Sequence, residues 1–144
     1  MRGVCLCGGI EFEVLPPVPR LYRCHCSLCR KQGGSSSNAS LVIPAHQLRW
    51  ISAQDLVRSY IKPTGFRSDF CSLCGSPVPS QLRSSSLVWV PAGLLEGGDA
   101  LEVGAHLFLG SRASWDQLPS SGARYETAPP FRELMALLRS HADA

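Results

Sequence analysis

A chain of 144 residues has room for one domain and none for a second core-forming domain, so we expect a single domain over residues 1–144. Hydrophobic residues make up 44% of it, but the longest apolar runs fall far short of the ~18–20 residues that a membrane helix needs. The net charge of +3 is mild and the sequence has no run of five like charges, which argues against nucleic acid as a partner. The short apolar runs argue against a membrane as a partner.

The first half of the chain is typical of short strands separated by turns. Residues 9–14 alternate apolar and acidic side chains, which indicates a half-buried strand, and a proline-rich stretch ends it. Further strands are predicted over 21–26, 41–43, 48–51 and 56–61. The glycine- and serine-rich stretch 33–37 predicts a flexible loop.

The second half continues this pattern and ends in a helix. Strands are predicted over 66–70, 87–91 and 106–109, and a short helix or turn over 113–118. Pro77 and Pro79 indicate an edge or irregular segment. Apolar residues at 131, 134, 135 and 138 recur at helical spacing and predict a C-terminal helix over about 130–141. The chain is therefore predicted to be mainly β, with a thin core that bound metal would stabilise.

Cysteine is the most informative residue type in this sequence. The first residues lack the apolar stretch of a signal peptide, which favours a cytoplasmic location and reduced thiols. An odd number of cysteines also cannot pair completely into disulfides. Zinc is the expected metal for thiolates that lie so close together. All seven stand in short-spaced clusters: Cys5 and Cys7; Cys24, Cys26 and Cys29; Cys71 and Cys74.

Seven ligands divide naturally into four and three. Four thiolates close a tetrahedral, structural zinc site, whereas three leave one position open for water or substrate. The C-x-C and C-x-x-C pairs would together supply four, which leaves the central triplet as the three. Alternatively, a histidine would be the fourth ligand of the second site, and both zinc sites would then be structural. His25 lies between two ligands and should point away, but His46 or His106 could reach the site from a distance.

The three motifs together resemble the glutathione-dependent formaldehyde-activating enzyme family, which also includes centromere protein V. They are C-x-C-G-G from Cys5, C-H-C-x-x-C-R-K from Cys24 and F-C-x-x-C-G from Phe70. The resemblance covers about residues 3–118. It implies a β-tent fold, in which short antiparallel sheets carry zinc knuckles and helices are few.

The family resemblance also implies a division of the ligands and two zinc ions per chain. A structural zinc would be bound by the first and last cysteine pairs: Cys5, Cys7, Cys71 and Cys74. The central triplet of Cys24, Cys26 and Cys29 would hold the catalytic zinc. A thiol that arrives at the open position of such a zinc is deprotonated.

The activity implied by the resemblance is that of a carbon–sulfur lyase with a small-molecule substrate. Glutathione would be the co-substrate and formaldehyde, or another small carbonyl, the electrophile; S-(hydroxymethyl)glutathione is the namesake product. Arg30 and Lys31 would contact the glutathione carboxylates or offset the charge of the thiolates. His25 would transfer protons or act as a hydrogen-bond partner behind the ligands. His106 and Tyr60 are further candidates, and the 33–37 loop would be a cleft wall or a plain connection.

Two other functions fit the same residues. A non-enzymatic zinc module would bind a partner protein, and a zinc hydrolase would use bound water on another small molecule. The triplet without an obvious fourth ligand favours an enzyme over a module. Nothing in the pattern separates a thiol from water as the fourth ligand, and nothing indicates an oligomeric state.

Overall fold

The computed structural model of the protein describes residues 1–83, 85–97 and 101–139. Short strands dominate these ranges and two helices accompany them, neither of which is long and apolar enough to cross a membrane. The strands are β1 (Arg2–Val4), β2 (Glu11–Val14), β3 (Leu21–Cys24), β4 (Asn38–Pro44), β5 (Leu48–Ser52), β6 (Val57–Ile61), β7 (Arg67–Cys71), β8 (Ser80–Gln81), β9 (Leu87–Pro91), β10 (Val103–Leu107) and β11 (Ala123–Arg124); the helices are α1 (Ser27–Gly33) and α2 (Phe131–Leu138).

The strands form three sheets, which confirms the predicted mainly β fold. One sheet has the order β1-β2-β5, a second the order β11-β10-β3-β4-β9-β8, and β6 pairs with β7 alone. Most pairs are antiparallel as expected, but β10 runs parallel to both β3 and β11, so the six-stranded sheet is mixed. The long stretch of chain between β3 and β10 supplies the crossover that parallel strands need.

The main core lies between the three-stranded and six-stranded sheets. Side chains along β3, β4 and β9 alternate between the two faces of the larger sheet, and those on one face pack against Phe12 and Val14 of β2. Phe12 is fully buried and meets Trp50 edge to face, with ring centroids 6.0 Å apart. The opposite face of the same sheet carries Tyr22 and Cys24, and it is this face that matters for function. The buried residues of the core face are Leu21, Leu41, Ile43, Val88 and Val90.

The predicted strands agree with the structure to within a few residues. Of the helices, the C-terminal one was predicted and α1 was not. Helix α2 confirms the predicted C-terminal helix, although positions 140–141 lie outside the described residues. The 113–118 segment is a turn, closed by the N–H of Asp116 donating to Ala113 O at 3.0 Å. Helix α1 was not predicted. It reaches Gly33 and ends at Gly34 in the left-handed conformation, so the expected 33–37 loop is shorter than its composition suggests.

Candidate functional site

The first cysteine cluster joins two sheets. Cys5 follows β1 and Cys71 ends β7, so that the three-stranded sheet and the β6–β7 hairpin each bring one pair of thiols. The Sγ atom of Cys7 lies 3.5 Å from that of Cys5 and 3.8 Å from that of Cys71. All four Sγ atoms, of Cys5, Cys7, Cys71 and Cys74, lie within 4.8 Å of one another and could hold a metal ion.

Two glycines shape the turns that present these four thiols. Gly8 and Gly75 each follow the last cysteine of their pair, and both have a φ near the left-handed region, 76° and 75°. A side chain is disfavoured in that conformation, which explains the glycine after each pair. The N–H of Gly8 donates to Cys5 O at 2.9 Å, and that of Gly75 to Cys71 O at 2.8 Å. The two pairs are thus held in similar tight turns.

The second cluster forms where β3 passes into α1. Cys24 ends the strand, Cys26 caps the helix N-terminus and Cys29 lies in its first turn. The N–H of Cys29 donates to Cys26 Sγ at 3.4 Å. The three Sγ atoms lie within 4.8 Å of one another, and no histidine or carboxylate among the described residues joins them as a fourth ligand. The cluster could hold a metal ion with one position left open.

The thiols within each cluster differ in pKa. The hydrogen bond with Cys29 lowers the pKa of Cys24 to about 6, and the same contact with Cys24 raises the pKa of Cys29. In the first cluster, hydrogen bonds from Ser76 lower the pKa of Cys74 to about 5. In each cluster one thiol therefore ionises more readily than a free cysteine, and the thiolate is the form that binds metal.

His25 lies behind the triplet rather than in it. Its ring is fully buried, with Nδ1 2.8 Å from Asp116 Oδ2 and Nε2 3.0 Å from His106 Nδ1. His106 in turn places Nε2 3.2 Å from Ser121 O. Burial lowers the pKa of His25, and the Asp116 carboxylate opposes that shift. Both rings are engaged away from the triplet, and His46 is exposed and joins no ligand group, so none of the three supplies the fourth ligand.

Two open clefts meet at the triplet. The cleft that we call polar measures about 380 Å³ and is lined by Cys29, Gln32 and Arg67, among others. The cleft that we call apolar measures about 560 Å³ and reaches Cys24. Tyr22, Leu82 and Arg83 line both clefts, so the triplet stands at their junction.

Tyr22 is a candidate functional residue that the sequence reasoning missed. It precedes Cys24 by two positions on β3, and the period of a strand puts both side chains on the same face of the sheet. Burial raises the pKa of the Tyr22 phenol, and negative charge on Cys24 and Cys29 raises it further. The phenol therefore remains protonated and can donate a hydrogen bond. The alternation along 21–24 was the one signal in the sequence that could have revealed it.

The structure separates the two basic residues that follow the triplet. Lys31 lines a recess of about 310 Å³ together with Tyr60 and Lys62. This recess shares Leu28, Gln32 and Phe66 with the polar cleft, so the two are continuous. Arg30 lines neither, and its buried Nε has no hydrogen-bond partner among the described residues.

The 33–37 loop also lies away from both clefts. The Arg23 guanidinium donates to Ser37 Oγ at 2.9 Å and to Ser36 Oγ at 3.3 Å. These bonds hold the loop against β3, on the core side of the sheet rather than at the triplet. In the structure the loop serves as the connection from α1 to β4.

The chain is similar to known proteins. The family model described as glutathione-dependent formaldehyde-activating enzyme matches residues 1–111. A Halomonas elongata protein named "Putative glutathione-dependent formaldehyde-activating enzyme" is 42% identical over 40 residues, 27% of this chain and 26% of that protein. The match thus spans about a quarter of that relative's length. A crystal structure of a Rhodobacter sphaeroides protein is 31% identical, with a TM-score of 0.56 over 72% of this chain and 97% of that one. Since the family model covers most of the sequence, the chain belongs to the glutathione-dependent formaldehyde-activating enzyme family.

Proposed function

We propose that this protein is a zinc-dependent carbon–sulfur lyase that acts on glutathione adducts of formaldehyde or another small carbonyl compound. The observation that carries the proposal is the position of the three-cysteine cluster, which lies at the junction of two open clefts with no fourth ligand among the described residues. A closed, purely structural site would not need such access. Membership of the family supports glutathione as the thiol.

The donor sets fit zinc. Four sulfurs around a tetrahedral zinc, each about 2.3 Å from the ion, lie ~3.8 Å apart. The Cys5–Cys7 and Cys7–Cys71 separations of 3.5 and 3.8 Å match this spacing, and all the cysteines are free thiols. We therefore assign the first cluster to a structural zinc and the triplet of Cys24, Cys26 and Cys29 to a catalytic zinc.

With zinc bound in the triplet, the pKa of an incoming thiol would be lowered. The chain's own residues provide the binding surface for the rest of glutathione, which carries two carboxylates. Lys31 and Lys62 stand in the recess that continues the polar cleft. The Arg67 guanidinium is already paired, with Nε and a terminal nitrogen 2.8 and 3.0 Å from the two oxygens of the buried Asp69. The two lysines are thus the better carboxylate partners.

The reaction requires one proton and no electron acceptor. The thiolate sulfur adds to the carbonyl carbon, so that a C–S bond forms while the C=O double bond becomes a single bond, and the oxygen takes up a proton. The reverse direction returns thiol and carbonyl. Tyr22, at the junction of the clefts, is placed to donate a hydrogen bond to that oxygen as its charge develops.

His25 has a positioning role in this proposal, not a proton-transfer role towards substrate. Its ring is fully buried and bonded to Asp116 and His106. Because it stands between Cys24 and Cys26, fixing its side chain also fixes the backbone from which those thiols project. Of the two roles considered for it, the hydrogen-bond partner behind the ligands is the one we propose.

The test combines metal analysis with a rate. We expect two zinc ions per chain. A new sulfur ligand should appear in the zinc-edge X-ray absorption spectrum only when glutathione is added. The exchange of ¹³C-formaldehyde with its glutathione adduct, measured by NMR, should be faster with the protein than without it. Cys26→Ser should lose one zinc and the rate acceleration. Ser27→Ala, an exposed neighbour in α1, is the matched control and should keep both. A second zinc that ignores glutathione, with no acceleration of exchange, would overturn the lyase proposal in favour of an interaction module.

A further inference from the structure

The apolar cleft is the feature of the site that formaldehyde does not explain. It begins at Cys24 and is walled mainly by aliphatic and aromatic side chains. Tyr22 and the triplet member Cys24, both on the sheet face away from the core, line it. Its volume of about 560 Å³ lies within the range of clefts that bind drug-sized ligands. Prominent among its walls are Val42, Leu107, Phe108, Phe131 and Leu134.

One wall of this cleft comes from α2, which lies beyond the residues matched by the family model. Leu134 and Leu138 are buried against Ala105 and Leu107 of β10, so the helix is docked firmly on the sheet. The N–H of Arg20 also donates to Leu138 O at 2.8 Å, which fixes the end of the helix. Phe131, half-exposed at the start of α2, stands at the cleft. Part of the apolar wall beside the proposed reacting centre therefore comes from outside the matched residues.

The size of the cleft is far greater than formaldehyde requires. The carbon and oxygen that formaldehyde adds to a thiol occupy roughly the volume of one or two water molecules, about 30 Å³ each. The apolar cleft is several times larger. Its lining also offers few polar groups to a hydroxymethyl substituent, whereas it would bury a hydrocarbon well.

We propose that the carbonyl substrate carries an alkyl or aryl group, which occupies the apolar cleft while glutathione occupies the polar cleft and its recess. This inference rests on the proposed function, because it takes the carbon beside Cys24 to be the one that bonds to sulfur. The bond changes are those given above, with a larger substituent on the carbonyl carbon. Tyr22 lines both clefts and thus stands where the two halves of the adduct join.

The test measures binding rather than turnover. Zinc-loaded protein is titrated by calorimetry with S-methylglutathione and S-hexylglutathione. Each buried methylene strengthens binding by about fourfold, so S-hexylglutathione should bind at least tenfold more tightly. Phe131→Ala should remove most of that gain without affecting S-methylglutathione. Met135→Ala is the matched control, because Met135 is on the same helix but lines a different cleft.

A second measurement locates the hexyl group directly. Nuclear Overhauser effects from its terminal methyl to the Phe131 ring are expected, and effects only to residues outside the apolar cleft would overturn the inference. Equal affinity for both conjugates would also overturn it and leave the lyase proposal standing if glutathione still alters the zinc spectrum. Conversely, a hexyl gain that depends on Phe131, without lyase activity on any aldehyde, would support the apolar site and refute the proposed reaction.

Discussion

The Nδ1 atom of His25 lies 2.8 Å from Oδ2 of Asp116, although the two residues are 91 positions apart in the chain. Both side chains are buried. The turn at residues 114–115 brings Asp116 to this position, and the bond holds the segment that runs from Cys24 to Cys26. Asp116 is thus a positioning residue for the triplet, which it supports without touching substrate.

Removal of the Asp116 carboxylate should weaken both the fold and the binding of the zinc ion that we propose for the triplet. Asp116→Ala leaves Nδ1 of the buried His25 without its partner, which costs about 1–3 kcal/mol of unfolding free energy. Urea unfolding of zinc-loaded protein measures this loss, and a chelator should remove the zinc proposed for the triplet faster than it does in wild type. Asp55→Ala, at an exposed aspartate, is the control. Equal chelation rates for both variants would contradict the positioning role.

Local patterns in the sequence were sufficient for most of the strands, but the short strands β1 and β11 and the helix α1 were not predicted. The alternation of Ile10, Phe12 and Val14 predicts β2 because that face is buried against the core. Helix α1 has only seven residues, no buried face and a cysteine as its N-cap. Apolar periodicity and the usual capping residues are the signals by which helices are predicted, so none was present here. The triplet thus spans a strand end and a helix start rather than a single tight turn.

The rest of the site depends on contacts between distant parts of the chain. The parallel pairing of β3 with β10 sets Leu107 beside Cys24, and α2 then covers β10. Neither the bond from Asp116 to His25 nor the apolar cleft is encoded by any short motif. The two cysteine clusters could be predicted because they lie in short-spaced motifs, whereas each cleft is lined by five separate strands and helices together with loops.

Loss of a ligand from the first cluster should unfold the domain. Cys71 is fully buried, and its cluster links the three-stranded sheet to the β6–β7 hairpin. Structural zinc contributes on the order of 10–16 kcal/mol of apparent binding energy, compared with a typical domain stability of ~5–15 kcal/mol. Cys71→Ser should therefore lose cooperative thermal melting, while Cys29→Ser in the triplet should keep it. Cooperative melting of Cys71→Ser with one zinc missing would refute the structural role of this cluster.

The packing of β1 on β2 provides a test of the main core. A Cβ atom at Gly3 would lie less than 3 Å from the ring of Phe12, which is fully buried and has no room to move. Overpacking of this kind costs typically about 1–3 kcal/mol, so Gly3→Ala should lower the urea midpoint. A Cβ atom at Gly93 would meet nothing within 4 Å, and Gly93→Ala should leave the midpoint unchanged. Equal midpoints for the two variants would argue against this packing.

Tyr22→Phe should slow the proposed reaction while leaving the protein folded and loaded with zinc. Tyr22 lines both clefts beside the triplet, and the raised pKa of its phenol keeps the hydrogen-bond donor protonated at neutral pH. Removal of one donor to a developing oxyanion costs about 10²–10³-fold in kcat. The measurement is the exchange rate of ¹³C-formaldehyde with its glutathione adduct, with zinc content determined on the same sample.

Tyr125→Phe is the matched control for this prediction, because Tyr125 is half-buried and lines neither cleft. A loss confined to kcat in Tyr22→Phe, with the affinity for S-methylglutathione unchanged, would indicate a donor that acts as charge develops on oxygen. An equal loss in both variants would point to packing instead. If Tyr22→Phe keeps the full rate, the oxygen is stabilised by some other group, and Tyr22 only lines the junction between the two clefts.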